Sequence, residues 1–332
     1  MEEDQQVMKS AARYRYGNHE TLVVVERPIP QFGEDELLVK VDHSAITAAD
    51  TFLRSGTPLL GRFMLGLLKP KNPYIGTGYS GVVVGAGEKI EGFKVGDSVF
   101  GESGLGFAAN SEYVIVKDEV IAKRPSFLKS DAAACICDGA LTSFNFLWAI
   151  GKLKSGQKVL INGGAGSLGS SAIQIAKSLG AHVTATSSEK NFDYLKSLGA
   201  DSVIDYKSDD YQTIQNRYDL IFDTVGKLEI ASAKKMLKKD GHYMSPVLSF
   251  GVLFHMIVSN LLKSRKKVSF SATGLLDHIL LKKFIAQILN LIKSGKLNIH
   301  IDRYYSIYDL PQAHKLVDSG HKKGNLVLDL AK

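Results

Sequence analysis

Gly164-Ala165-Gly166-Ser167-Leu168-Gly169 is the stretch whose residue types and spacing point most directly to chemistry. It matches G-x-G-x-x-G, follows the apolar run Lys158-Val159-Leu160-Ile161 and opens a helical pattern over 170–179. In that setting glycines let the backbone close on a pyrophosphate, whose charge the N–H groups and dipole of the helix N-terminus then hold. All six residues, Gly164, Ala165, Gly166, Ser167, Leu168 and Gly169, are therefore expected cofactor contacts. The alternative is a Gly-rich strand-to-helix turn with no ligand.

Roughly 20 residues past such a loop, an NAD site presents Asp or Glu to the ribose 2′-hydroxyl. Here the chain has Thr186-Ser187-Ser188-Glu189-Lys190. Hydroxyls donate to a 2′-phosphate and a lysine neutralises it, whereas a carboxylate at the strand end would repel it. The expected cofactor is NADP(H), held by Ser187, Ser188, Lys190 and the following Asn191, with Glu189 as the discordant residue. Asp223-Thr224-Val225-Gly226 ends another apolar run, and ligands of open α/β sheets sit at the carboxyl ends of strands. Thr224 and Val225 are expected beside the nicotinamide. The alternative is a simple turn closed by Asp223 and Gly226.

These loops need elements to carry them. The first third of the chain reads as short β-branched runs punctuated by Gly, Pro and Asp, at 21–25, 36–41, 80–84 and 111–116, which predicts a small antiparallel barrel. From about residue 128 the rhythm becomes alternating helix and strand. Helical runs at 132–149, 170–179 and 191–198 alternate with strands at 158–161, 182–186, 202–204 and 220–222. That alternation predicts βαβ units and a doubly wound parallel sheet. A helix over 276–293 and strands at 298–305 and 325–330 follow, and strands this late are expected to return to the first domain. The expected domains are 1–127 with 273–332, and 128–272.

Composition narrows the function classes. A chain of 332 residues with 45% hydrophobic and 23% charged residues has material for two cores and no sign of disorder. The net charge of +7 is spread over solvated faces without the basic, aromatic-interleaved stripe of a nucleic-acid binder, so no nucleic-acid partner is expected. Two cysteines, Cys135 and Cys137, make neither a disulfide framework nor a four-thiolate zinc lobe. The opening Met1-Glu2-Glu3-Asp4 is acidic where a signal peptide needs cations, so a cytoplasmic location is expected, with residues 1–7 as an extension. The longest apolar stretch, 247–262, is too short and too polar to span a bilayer.

In this order the pieces resemble the medium-chain dehydrogenase/reductase superfamily over nearly the whole chain. Ile75-Gly76-Thr77-Gly78-Tyr79-Ser80-Gly81-Val82-Val83 and Phe93-Lys94-Val95-Gly96-Asp97-Ser98-Val99 look like its first-domain signature. Gly139-Ala140-Leu141-Thr142-Ser143, Ser197-Leu198-Gly199-Ala200-Asp201 and Val203-Ile204-Asp205-Tyr206 look like second-domain landmarks. The closing Ile301-Asp302-Arg303 and Gly320-His321-Lys322-Lys323-Gly324-Asn325 look like the zinc-free quinone oxidoreductase (zeta-crystallin-like) branch. The resemblance implies an α/β fold, a Rossmann doubly wound parallel sheet plus a GroES-like β-barrel domain. Zinc alcohol dehydrogenases of the superfamily carry Gly-His-Glu where this chain has Gly76-Thr77-Gly78, and a Cys near Ala45 or Ile46. Neither ligand is present, so no metal is expected.

What the resemblance then implies is hydride transfer from NADPH to a small lipophilic acceptor, a quinone or an α,β-unsaturated carbonyl. Thr142 would contact the nicotinamide, and Lys190 and Tyr206 would hold the 2′-phosphate. Asn325 stands where many relatives have Lys, which changes one cofactor contact. Residues 44–56 would line the acceptor site; relatives often have Asn-Pro-x-Asp-x-Tyr where this chain has Thr47-Ala48-Ala49-Asp50-Thr51-Phe52. Thr47 and Tyr79 are the hydroxyl candidates for the developing oxyanion, with a strand-end Thr and a core Tyr as the alternatives. Asp50 is expected to support a turn or cap. Relatives pair the last strand of the nucleotide sheet, here 268–272, so a homodimer is expected.

Two apolar stretches with basic flanks, 59–68 before Lys69 and Lys71 and 247–262 before Lys263, stand out. Oligomer contact is one reading; a greasy rim in peripheral contact with a membrane is the other. Two further functions compete with the quinone or enone reductase: a zinc-free alcohol or aldehyde reductase, which lacks an identifiable proton relay, and a non-enzymatic binding or scaffold protein, which a broken phosphate loop would favour.

Overall fold

In the computed structural model, residues 6–57, 59–104, 108–207 and 209–331 are described. Residues 1–5, on which the compartment expectation rests, lie outside them. The chain divides into two compact units, 1–138 with 277–283 and 301–332, and 139–276 with 284–300.

The first unit is built on strands β1 (Val7–Ala12), β2 (Val23–Pro28), β3 (Leu37–Ile46), β4 (Gly78–Ala86), β5 (Ser98–Glu102), β6 (Tyr113–Val116) and β7 (Ile121–Lys123). The late strands β14 (Ile301–Tyr305) and β15 (Asn325–Asp329) join it. Its seven-stranded sheet runs β14-β15-β3-β4-β5-β7, with β6 also on β3, while β1 and β2 form a separate hairpin. Alternate apolar residues of these strands, Leu37, Val39, Val41, Tyr79, Val83, Val99 and Leu326 among them, meet in one buried cluster. Helices α1 (Ala48–Ser55), α2 (Arg62–Leu65), α3 (Ser130–Ala134) and α10 (Leu310–Asp318) decorate it. Because α3 packs on β3, β4 and β5, the boundary falls after residue 138, later than the change of sequence rhythm at 128.

The second unit holds strands β8 (Lys158–Asn162), β9 (His182–Ser187), β10 (Ser202–Asp205), β11 (Tyr218–Asp223), β12 (Leu237–Ser245) and β13 (Lys267–Phe270). All five pairings are parallel, in the order β10-β9-β8-β11-β12-β13. That is the doubly wound Rossmann arrangement, whose strand order reverses between β8 and β11. Its helices are α4 (Leu141–Phe144), α5 (Ser167–Ser178), α6 (Phe192–Ser197), α7 (Ile230–Met236) and α8 (Phe250–Leu261). The long α9 (His278–Lys293) has residues in both units. The helical run expected over 132–149 is interrupted by wide π-type turns at Ile136–Ala140 and Asn145–Ile150. Phe284 of α9 packs against Phe144 and Trp148, with ring centroids 5.4 and 5.9 Å apart, which explains why 284–300 joins this unit. The strand β12 went unanticipated, since Lys238-Lys239-Asp240-Gly241 interrupts its apolar alternation.

Candidate functional site

The loop Gly163–Gly169 leaves β8 at the point where the strand order reverses. Gly163 has φ +83°, and a Cβ there would lie 2.3 Å from a Val225 methyl, so the turn requires glycine. At Gly164 a Cβ would press on Ala185, Leu195 and Ile173 at 2.9–3.3 Å, and at Gly169 it would strike the Gly163 carbonyl oxygen at 2.2 Å. Gly166 differs: the nearest atom to a Cβ there is 3.9 Å away. Space over Gly166, beside the N-terminus of a twelve-residue helix with no acidic residue in its first turn, is what a pyrophosphate needs. The residues present fit a dinucleotide.

Beneath the loop lies a buried network that ties four strand ends together. Thr186 Oγ1 donates to Asn162 Oδ1 (2.7 Å) and accepts from the Gly163 N–H (3.1 Å). Asn162 Nδ2 donates to Asp223 Oδ1 (2.8 Å), which also takes the N–H groups of Val225 (3.2 Å) and Gly226 (2.9 Å). Asp223 Oδ2 accepts from the Leu228 N–H (2.9 Å) and the Tyr243 hydroxyl (3.0 Å). Burial first, and the carboxylate beside it second, hold the Tyr243 hydroxyl well above the ordinary phenol range. Five donors on one buried carboxylate leave it fully paired, and they fix the ends of β8, β9, β11 and β12 relative to one another. None of Asn162, Thr186, Asp223 and Tyr243 was among the expected site residues except as a turn former. The available signal was a polar residue at the C-terminal end of successive apolar runs.

The expected cofactor residues of this unit gather at the carboxyl end of the sheet. Gly164 N–H bonds the Thr186 carbonyl (2.8 Å), and Tyr206 N–H bonds the Ser187 carbonyl (3.2 Å). Ser187 is buried and spends its proton on the Ser188 carbonyl (2.9 Å), whereas Ser188 Oγ accepts from Asn191 Nδ2 (3.4 Å) and keeps its own proton. Lys190 and Glu189 are exposed and Tyr206 is half-exposed. Thr224 Oγ1 donates to the Asn162 carbonyl (2.7 Å), so its hydroxyl braces the loop, while Val225 is exposed. Thr142 is half-buried on α4, where its neighbour Ser143 donates to the Leu168 carbonyl of the glycine-rich loop (2.8 Å).

Thr47, Tyr79, Asp50 and Asn325 belong to the other unit. Thr47 and Asp50 form a reciprocal capping box at the start of α1: Asp50 Oδ2 accepts from Thr47 N (2.8 Å) and Oγ1 (2.9 Å), and Thr47 Oγ1 accepts from Asp50 N (3.1 Å). The Thr47 proton is thereby committed to the carboxylate. Burial pushes the Asp50 carboxyl up to about 7 against those bonds, with Asp138 adding and Lys322 opposing. Glu102 also rises to about 7, by burial first and then by Asp138 and Asp50. Tyr79 is fully buried in the barrel core, and its hydroxyl has no partner. Asn325 is buried at the start of β15. Among the described residues no group of three or more His, Cys, Asp or Glu side chains is arranged to hold a metal ion.

Two family models match the chain: the alcohol dehydrogenase GroES-like domain over residues 33–126 and a zinc-binding dehydrogenase domain over 198–328. A chloroplastic quinone-oxidoreductase homolog of Spinacia oleracea is 29% identical over 328 residues, covering 94% of this chain and 95% of its own. The 2-methylene-furan-3-one reductase of Solanum lycopersicum is 33% identical over 244 residues, covering 70% of this chain and 61% of its own. The solved quinone oxidoreductase of Coxiella burnetii superposes with TM-score 0.87 at 27% identity, over 98% of this chain and 99% of its own. The chain belongs to the medium-chain dehydrogenase/reductase superfamily, in its quinone oxidoreductase branch. It is an oxidoreductase of the quinone-oxidoreductase kind that uses a nicotinamide cofactor.

Proposed function

We propose that this protein is an NADPH-dependent reductase that delivers hydride to a quinone or an α,β-unsaturated carbonyl without a metal. The observation that carries the reading is the open space over Gly166 at the α5 N-terminus, in a loop whose other glycines have no room for a side chain. The cofactor, when bound, supplies the hydride. The chain's own part is to hold the pyrophosphate on the α5 N–H groups and to meet the 2′-phosphate with Ser188, Lys190, Asn191 and Tyr206. Ser187, the last residue of β9, leaves that strand end without a carboxylate.

Absence of zinc is supported by chemistry at two touching positions. A Cβ at Gly78 would lie 3.4 Å from the Ala45 methyl, so the positions that carry ligands in zinc relatives adjoin here and bear no donor atom. With the Thr47 proton held by Asp50, the acceptor's developing oxyanion takes its proton from another donor, water among them. The name of the tomato relative, a furanone reductase, favours an enone as readily as a quinone.

Titration by nicotinamide fluorescence with NADPH and NADH, followed by 1,4-benzoquinone, 9,10-phenanthrenequinone and a short enone, tests the reading. NADPH should bind at least tenfold more tightly than NADH, and Lys190→Ala should remove most of that preference, since one lost phosphate contact is worth about 1.5–3 kcal/mol. Equal affinity for both nucleotides would overturn NADP(H), and failure to bind either would overturn the reductase reading altogether.

A further inference from the structure

Helix α8 is apolar on two opposite faces, and only one of them is covered. Val252 and Ser259 turn inward, and Val252 packs in the cluster with Val268 and Tyr243 beneath the sheet. On the far side Phe250 is 79% exposed, Phe254 63%, Ile257 48% and Leu261 76%. Their spacing of four, three and four residues sets all four on one narrow stripe, roughly 16 Å long at 1.5 Å per residue. A helix that is hydrophobic all round is ordinarily buried all round. This one presents two phenylalanines and two branched aliphatics to water, and Leu262 beyond it is 74% exposed.

At the foot of the stripe stands a run of cations, Lys263, Arg265, Lys266 and Lys267. Lys263 closes the helix in the left-handed conformation, φ +45°, with the Ser264 N–H returned to the Ser259 carbonyl at 2.8 Å. Glycine is the low-strain residue for that position, and the chain places a cation there instead. Lys266 Nζ reaches back to the Lys234 carbonyl, and Arg265 lies 3.8 Å from Asp240 in an exposed, loose pair. Lys234 and Lys235 on the last turn of α7 add to the same sign.

An apolar stripe ending in a cationic cluster is complementary to a surface with an apolar interior and an anionic rim. A second copy of this chain is a poor match. A parallel two-fold contact through α8 would set the Lys263–Lys267 cluster against its own image, and an antiparallel one would set each cluster beside the partner's 246–262 segment, which carries no carboxylate, in a protein of net charge +7. We propose that α8 is an interfacial helix that seats the nucleotide-binding unit on an anionic lipid bilayer. Phe250, Phe254, Ile257 and Leu261 enter the headgroup boundary, and the basic cluster lies on the lipid phosphates. This proposal does not depend on the acceptor or on the cofactor preference.

The test is flotation of the full-length protein with extruded vesicles of phosphatidylcholine alone or with about 30% phosphatidylglycerol, at low and at about 0.5 M salt. The expected result is co-flotation with the anionic vesicles at low salt, release at high salt, and little partitioning to phosphatidylcholine. Phe254→Asp with Ile257→Asp, which alters exposed positions only, should keep the wild-type melting temperature and lower partitioning more than tenfold. Lys263→Gln and Lys267→Gln should each lower it roughly fivefold, the equivalent of about 1 kcal/mol per basic residue. Absence of flotation at low salt, or equal partitioning of the double aspartate variant, overturns the proposal. So does light scattering that finds the lipid-free protein as a dimer which the double aspartate variant dissociates, since that assigns the stripe to a second copy.

Discussion

Asn162 and Asp223 end adjacent parallel strands and are joined by one 2.8 Å hydrogen bond from Asn162 Nδ2 to Asp223 Oδ1. That bond locks the loop after β8 to the loop after β11, the two walls of the place where a dinucleotide sits in this class of sheet. Asp223→Asn swaps one acceptor oxygen for an amide donor and sets it against groups that are themselves donors. Chemical denaturation should show a loss of about 2–4 kcal/mol, and nucleotide affinity should fall with it. Unchanged stability would mean that the network is dispensable.

The glycines of the loop after β8, the proposed phosphate loop, should separate into two kinds. Gly169→Ala places a methyl 2.2 Å from the Gly163 carbonyl oxygen and should unfold the unit or cost it several kcal/mol. Gly166→Val has room in the folded protein and should leave the melting temperature within a few degrees while weakening nucleotide binding by roughly a hundredfold, about 3 kcal/mol. Isothermal titration beside thermal melts distinguishes them.

Asp50 makes stability depend on pH in a defined direction. Its carboxyl titrates near 4 when unfolded and about 7 when folded, so the native state holds the extra proton between those values. Stability contributed by the protonated form is complete below about pH 4 and is lost as pH rises toward 7, by up to about 4 kcal/mol. Glu102 acts in the same direction. Urea unfolding at pH 5 and pH 8 should show a smaller loss on raising the pH in Asp50→Asn than in the wild type.

His314 has the opposite sign. It is fully buried, neither ring nitrogen has a partner, and burial lowers its titration to about 3, helped by Arg54, His19 and Arg13. Its neutral form carries stability that is present above the unfolded value of about 6.5 and disappears as pH falls toward 3. His314→Leu removes two unsatisfied polar atoms and should raise stability by about 1–2 kcal/mol at pH 7, more at pH 5, measured by the same unfolding curves.

The glycine-rich turn and the alternating strands and helices of the second unit were legible because each depends on neighbours in sequence. An apolar run, a glycine turn and a helical period are local facts, and Gly164 to Gly169 carry theirs within six residues. The strand β12 was illegible for the complementary reason: Lys238-Lys239-Asp240-Gly241 suppresses the local pattern, and pairing with β11 and β13 supplies what the pattern lacks.

Residue types alone determined the class of fold and marked the glycine-rich loop after β8 as the candidate cofactor loop, since those follow from order and identity along the chain. Tertiary structure decided where protons and surfaces face. The Asn162–Thr186–Asp223–Tyr243 network exists only because the strand order sets β9, β8, β11 and β12 side by side. The Thr47 hydroxyl spends its proton on Asp50 because α1 begins there, Tyr79 is enclosed because β4 turns it into the barrel core, and α8 leaves one apolar stripe in water because packing covers only the other. Burial and hydrogen-bond direction are properties of neighbours far apart in sequence, and they appear only when the chain is folded.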